Sequence, residues 1–78
     1  MLTLHPQVSV RPEPFGALLY HFGTRRLSFL KDRRLLDVVQ RLDGSTSVEA
    51  ALADVPEGER SAFRKALSTL ESTGMLVA

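Results

Sequence analysis

The sequence contains no cysteine, and only two histidines stand among its 78 residues. Without thiols there is no disulfide, no zinc-thiolate site, no iron–sulfur cluster and no thiol nucleophile. That fits a reducing compartment, and the cytoplasm is the expected location. An excess of one charge sign is missing too. Ten Lys and Arg face nine Asp and Glu, for a net charge of +1, whereas a general nucleic-acid binder carries a marked basic excess. No apolar run approaches the roughly 20 residues of a membrane-spanning helix. Met1 to Pro6 has neither the basic start nor the apolar stretch of a signal peptide. The expectation is a soluble protein that works without a membrane.

The groups that could carry chemistry are equally sparse. Neither His5 nor His21 has a second ligand at helical metal spacing. His5 falls in an N-terminal segment that reads as a loose end, and His21 in a strand. Ser45, Ser47 and Ser61 fall at turns and helix starts, where capping accounts for them. The glycines stand singly, so no phosphate-cradling loop is present. The reading is of a non-catalytic protein with no cofactor and no metal.

What remains is enough for one domain. A hydrophobic share of 44% is ordinary for a folded chain,. The pattern changes near Lys31. Before it, Val8 and Val10 alternate with polar neighbours, predicting a strand at about 7–11 that Pro12-Glu13-Pro14 stops. The apolar run 17–22 and the segment 26–30 flank Gly23-Thr24 and read as a hairpin. After Lys31 the spacing is helical. Leu35, Val38, Val39 and Leu42 mark a helix at about 33–43, with Asp32 as its N-cap and Asp43-Gly44 as its end. Thr46 and Glu49 have the spacing of a capping box for a helix at about 47–54. Pro56 separates it from a third helix, at about 57–73, carrying Phe63, Ala66, Leu67 and Leu70. Gly74 stands where a C-terminal cap glycine belongs, and Met75-Leu76-Val77 can pack back as a short extended tail. The fold class is α+β: a small winged-helix-like domain over residues 1–78, with an N-terminal hairpin or three-stranded antiparallel sheet followed by three helices.

The run Arg11 to Phe22, with its Leu18-Leu19-Tyr20 centre, followed by Leu27-Ser28-Phe29-Leu30-Lys31, resembles the MftB family of mycofactocin systems. Asp43-Gly44, the Thr46 to Leu52 helix and Gly74-Met75-Leu76 extend the likeness to the broader PqqD-like pattern, from about Pro6 to Val77. That pattern often has Asn after the last strand of the sheet; here Lys31-Asp32 takes the place, and Asp caps equally well. The resemblance implies a RiPP recognition element, a domain that binds the leader of a ribosomally made precursor peptide and presents it to a radical S-adenosylmethionine maturase. The leader would join the sheet beside the 26–30 strand and lie against the third helix.

Carried onto this sequence, the peptide-binding residues are Arg26, Leu27, Ser28, Phe29 and Leu30 on the strand. On the helix they are Arg60, Phe63, Arg64 and Leu67. An unpaired sheet edge offers backbone donors and acceptors to an extended peptide, while a neighbouring helix supplies a trough for alternate side chains. Ser28, in mid-strand, is expected to offer its amide to that peptide. Arg25, Arg26, Lys31, Arg33 and Arg34 place half of the cations within ten residues. They could attract acidic side chains of a peptide or of a maturase, or form a solvated face with Asp32 and Asp37. The competing reading is a winged-helix DNA-binding regulator. Near-neutral charge opposes it, as do Glu49 and Asp54 on the second helix, which phosphate would repel.

Overall fold

Strict alternation builds the N-terminal half. In the computed structural model, which describes residues 1–78, the elements run β1 (Thr3–Leu4), β2 (Val8–Glu13), β3 (Gly16–His21), β4 (Arg26–Leu30), α1 (Arg33–Arg41), α2 (Val48–Ala51), α3 (Glu57–Ser72) and β5 (Leu76–Val77). Strands β2, β3 and β4 form an antiparallel sheet in that order, so β2 and β4 are both edges. Ala17, Leu19 and His21 on β3 and Leu30 on β4 turn inward and are buried. Leu18, Tyr20, Leu27 and Phe29 alternate with them and take the opposite face,.

β2 does not stop at Pro12, as the sequence suggests, but continues to Glu13. The reason lies in the phase of the backbone. Phe22 N–H donates to the Gln7 carbonyl, whereas Val8 N–H turns away to that of His5. Continued along the register, odd residues of β2 bond β3 and even ones face off the edge,. Pro12 is even, so its missing donor is missed by no partner.

The helices cover the inner face. Asp32 caps α1, its carboxylate accepting from Arg34 N–H at 2.8 Å. Leu35, Leu36, Val38 and Val39 form the buried stripe. The helix ends at Arg41, two residues earlier than its apolar spacing suggests. Asp43 bridges to Thr3 of β1, and Gly44, at φ +88°, donates to the Leu2 carbonyl instead of closing the helix. α2 is a single turn, not the expected 47–54 helix. Its cap is Ser47, whose hydroxyl accepts from Ala50 N–H at 3.1 Å. Thr46 instead gives its N–H to the Asp43 carboxylate. Pro56 disfavours helical backbone at Val55, so the chain turns before α3 begins.

α3 spans 16 residues and buries Phe63, Leu67 and Leu70. Its end is decided by Gly74 at φ +82°: Met75 N–H reaches the Leu70 carbonyl and Gly74 N–H that of Glu71. This paired arrangement satisfies the last free carbonyls. The tail then pairs with the N-terminus, β5 against β1, with Leu4 opposite Leu76. The N-terminal segment read as a loose end is therefore a strand. Met75 and Leu76 are fully buried, joining Leu19, Leu30, Leu52 and Leu67 in one core.

Candidate functional site

The phase that excuses Pro12 also fixes the chemistry of the other edge. Even residues of β3 bond β2, so its odd residues, Ala17, Leu19 and His21, bond β4. Their partners Leu30, Ser28 and Arg26 therefore spend their amides inside the sheet. Leu27 and Phe29 face the open side, each with one N–H and one carbonyl. Ser28, expected to offer its amide to a peptide, is thus engaged with Leu19. The outward groups belong to its neighbours, a distinction that needs the register.

Beside this edge runs a groove of about 270 Å³, lined by Ser28, Phe29 and Leu30 of β4, Leu35 of α1, and Ala66, Thr69 and Leu70 of α3. The small Ala66 side chain keeps the helix wall low. Thr69 turns its hydroxyl onto the Lys65 carbonyl at 3.1 Å and leaves its methyl for the groove. Leu27 and Phe29 are 57% and 60% exposed on the outer face of the same strand. Phe29 stands 6.4 Å from the Phe15 ring. The edge thus offers backbone bonding with apolar surface on both sides.

Of the residues singled out from sequence, Arg26 to Leu30 line this edge together. The four on α3 divide differently. Phe63 and Leu67 lie in the core beneath the groove. Arg60 is engaged elsewhere: its Nε donates to the Val55 carbonyl at 2.9 Å and a second guanidinium nitrogen to that of Ala53 at 3.3 Å. Arg64 pairs with Glu49 at 3.5 Å on the flank facing α2. The groove wall is Ala66, Thr69 and Leu70, one step round the helix. The signal for it was Ala66, a small residue beside the Phe63–Leu67–Leu70 stripe.

One charged network braces the site. Arg34 donates to Asp32 at 2.9 Å and to Glu59 at 2.8 Å, and its guanidinium lies 5.4 Å from the Phe63 ring centre. The side-chain bond from Arg34 is the main cause holding both carboxyls below their ordinary values, and those bonds in turn raise Arg34. Backbone N–H of Ser45, and then its hydroxyl, lower Asp43 in the same way. His21 is buried, and its Nδ1 accepts from Gly23 N–H at 3.0 Å and Thr24 N–H at 3.1 Å. With Nδ1 accepting, the ring proton sits on Nε2, and the imidazole shapes the turn that launches β4. No group of three or more His, Asp or Glu is placed to hold a metal ion. No helix is long and apolar enough to cross a membrane.

Comparison with known proteins gives the following. The model of the peptide chaperone MftB family matches residues 1–77. The chain is 55% identical over 76 residues to peptide chaperone MftB of Mycobacterium tuberculosis (strain ATCC 25618 / H37Rv), covering 95% of this chain and 70% of that protein. With peptide chaperone MftB of Mycolicibacterium smegmatis (strain ATCC 700084 / mc(2)155) the identity is 51% over 76 residues, covering 95% and 74%. The solved structure of lasso peptide synthetase B1 complexed with the leader peptide superposes with a TM-score of 0.69 at 25% identity. The match covers 99% of this chain and 98% of that one.

Proposed function

This chain belongs to the peptide chaperone MftB family, and on that footing we propose that it binds the leader of a ribosomally synthesised precursor peptide by strand addition and presents it to a radical S-adenosylmethionine maturase. It does so in the cytoplasm and catalyses nothing itself. The observation that carries the reading is the β4 edge: outward amides at Leu27 and Phe29 beside an apolar groove. The fold, moreover, is shared with a protein solved with its leader peptide. Main-chain bonds to the edge supply affinity independent of sequence, and the groove supplies preference. Both edges of the sheet are unpaired, but only β4 has a helix-lined trough beside it. The DNA-binding alternative has less support, since ten cations against nine acidic residues lack the basic excess that phosphate binding draws on.

The backbone phase makes the test specific. Leu27→Pro deletes an outward donor at a position equivalent to that of Pro12 on the opposite edge, so the domain should still fold. A lost main-chain bond is worth about 0.5–1.5 kcal/mol net, so leader affinity should fall by about two- to tenfold relative to Leu27→Ala. Ser28→Pro breaks a bond inside the sheet and should damage the fold itself. Calorimetry with a leader peptide encoded beside this chain, and circular dichroism of each variant, read the two effects. Amide exchange gives the same answer without mutation: Leu27 and Phe29 should slow on leader addition, while Ser28 is already slow. Equal leader affinity in Leu27→Pro and Leu27→Ala would rule out strand addition at β4.

A further inference from the structure

The cations without a partner are not scattered. Of the ten, Arg11, Arg34, Arg41 and Arg64 form ion pairs with carboxylates, and Arg60 is held by the Val55 and Ala53 carbonyls. Arg25, Arg26, Lys31, Arg33 and Lys65 have neither. Arg25 and Arg26 stand where β4 begins, Lys31 and Arg33 just past its end. Lys65 precedes Thr69, a residue of the groove's helical wall, by one turn of α3,. All four residues at the strand ends are exposed.

The carboxylates that could neutralise them are committed or distant. Asp32, between Lys31 and Arg33, and Glu59 both bond Arg34. Asp37 lines a small cavity on the other side of α1, with Arg41 and Asp54. Glu57 and Glu71 fall on the Arg60–Arg64 flank of α3 by helical spacing. Net positive charge at both ends of β4 therefore frames an apolar centre made by Leu27, Phe29 and the groove. Like charges held close repel, and an oppositely charged ligand relieves that repulsion.

We propose that the peptide taken by this edge is acidic at both ends and apolar between: an extended segment with Asp or Glu flanking a short apolar run. This rests on the strand-addition reading and adds the chemistry of the ligand. A strand paired to β4 sends alternate side chains into the groove and onto the outer face. Both destinations are apolar at mid-strand, so the central residues on both faces are apolar. At roughly 3.3 Å per residue, Arg26 and Lys31 are about 16 Å apart. The two acidic ends of the peptide are therefore separated by about four or five residues.

Selection from a displayed library of random peptides of about ten residues, spanning roughly 33 Å, against the full chain tests this without knowledge of the natural ligand. The selected peptides should be enriched in Asp and Glu on both sides of an apolar centre, and the consensus peptide should slow amide exchange at Leu27 and Phe29. Its affinity should fall steadily between about 50 and about 500 mM salt. Reversing the frame with Arg26→Glu and Lys31→Glu, both at exposed sites, should weaken it about tenfold, the size expected of a few partly solvated charge contacts. Peptides that protect Leu27 and Phe29 but show no acidic enrichment and no salt dependence overturn the ligand chemistry and leave strand addition standing. Selected peptides that protect another surface, or no selection at all, overturn both.

Discussion

Gly16 has no freedom to be anything else. It opens β3 at φ +152°, and a Cβ built there would lie 1.9 Å from the Leu30 carbonyl oxygen. That carbonyl belongs to the last residue of β4, so the collision would push on the strand that carries the proposed site. Gly16→Ala should therefore destabilise the domain by more than about 1 kcal/mol, since both strain and overlap oppose it. Denaturant melting would show this, and an unchanged midpoint would mean that β4 shifts freely. Arg60 makes the complementary point. By sequence it looks like an exposed cation on a helix flank, yet its guanidinium closes the loop between α2 and α3. Nothing in its spacing announces a carbonyl five residues upstream. His21 is similar: its identity was legible, but its work as an acceptor for two turn amides was not.

At the scale of elements, the strongly periodic segments were readable and the short one was not. α1 and α3 follow their apolar spacing because each buries a stripe that only a helix can present to a sheet. α2 had to satisfy Ser47, Pro56 and the Arg60 guanidinium at once, and one turn is what fits. Arg34 joins the starts of α1 and α3 through Asp32 and Glu59, and this gives acid stability a specific source. Both folded carboxyls sit below their ordinary values of 3.8 and 4.5, so they release protons more readily folded than unfolded. Their contribution is full above those values and is lost as pH falls through and below them. Arg34→Ala should lower the melting midpoint at neutral pH, and less so in high salt. It should also flatten the fall in stability between about pH 5 and pH 3. Asp43, held by the turn at Ser45, keeps its own share in that variant. Parallel pH curves for the two proteins would place the acid sensitivity elsewhere.

At the scale of the molecule, the two ends of the described chain hold each other. β1 and β5 pair across the helix layer, and Leu76 is buried between them and the core. In a domain of this size the total stability is only about 5–15 kcal/mol. Leu76→Ala, at about 2–5 kcal/mol for a buried leucine, should remove a large part of it. A single loss of signal from both sheets on heating would show that the small sheet unfolds with the whole. A separate early transition would make it an appendage. The sequence alone determined β2, β3 and β4 as strands and α1 and α3 as helices, because side-chain periods of 2 and 3.6 are local properties of the backbone. It determined the absence of thiol chemistry, and it carried the family likeness in Arg11 to Lys31. Only the tertiary structure decided that Leu27 and Phe29, not Ser28, hold the outward amides, that Ala66 and Thr69 wall the groove in place of Arg60 and Arg64, and which cations are left unpaired. Register and pairing are set by neighbours distant in the chain, and no window along the sequence contains them.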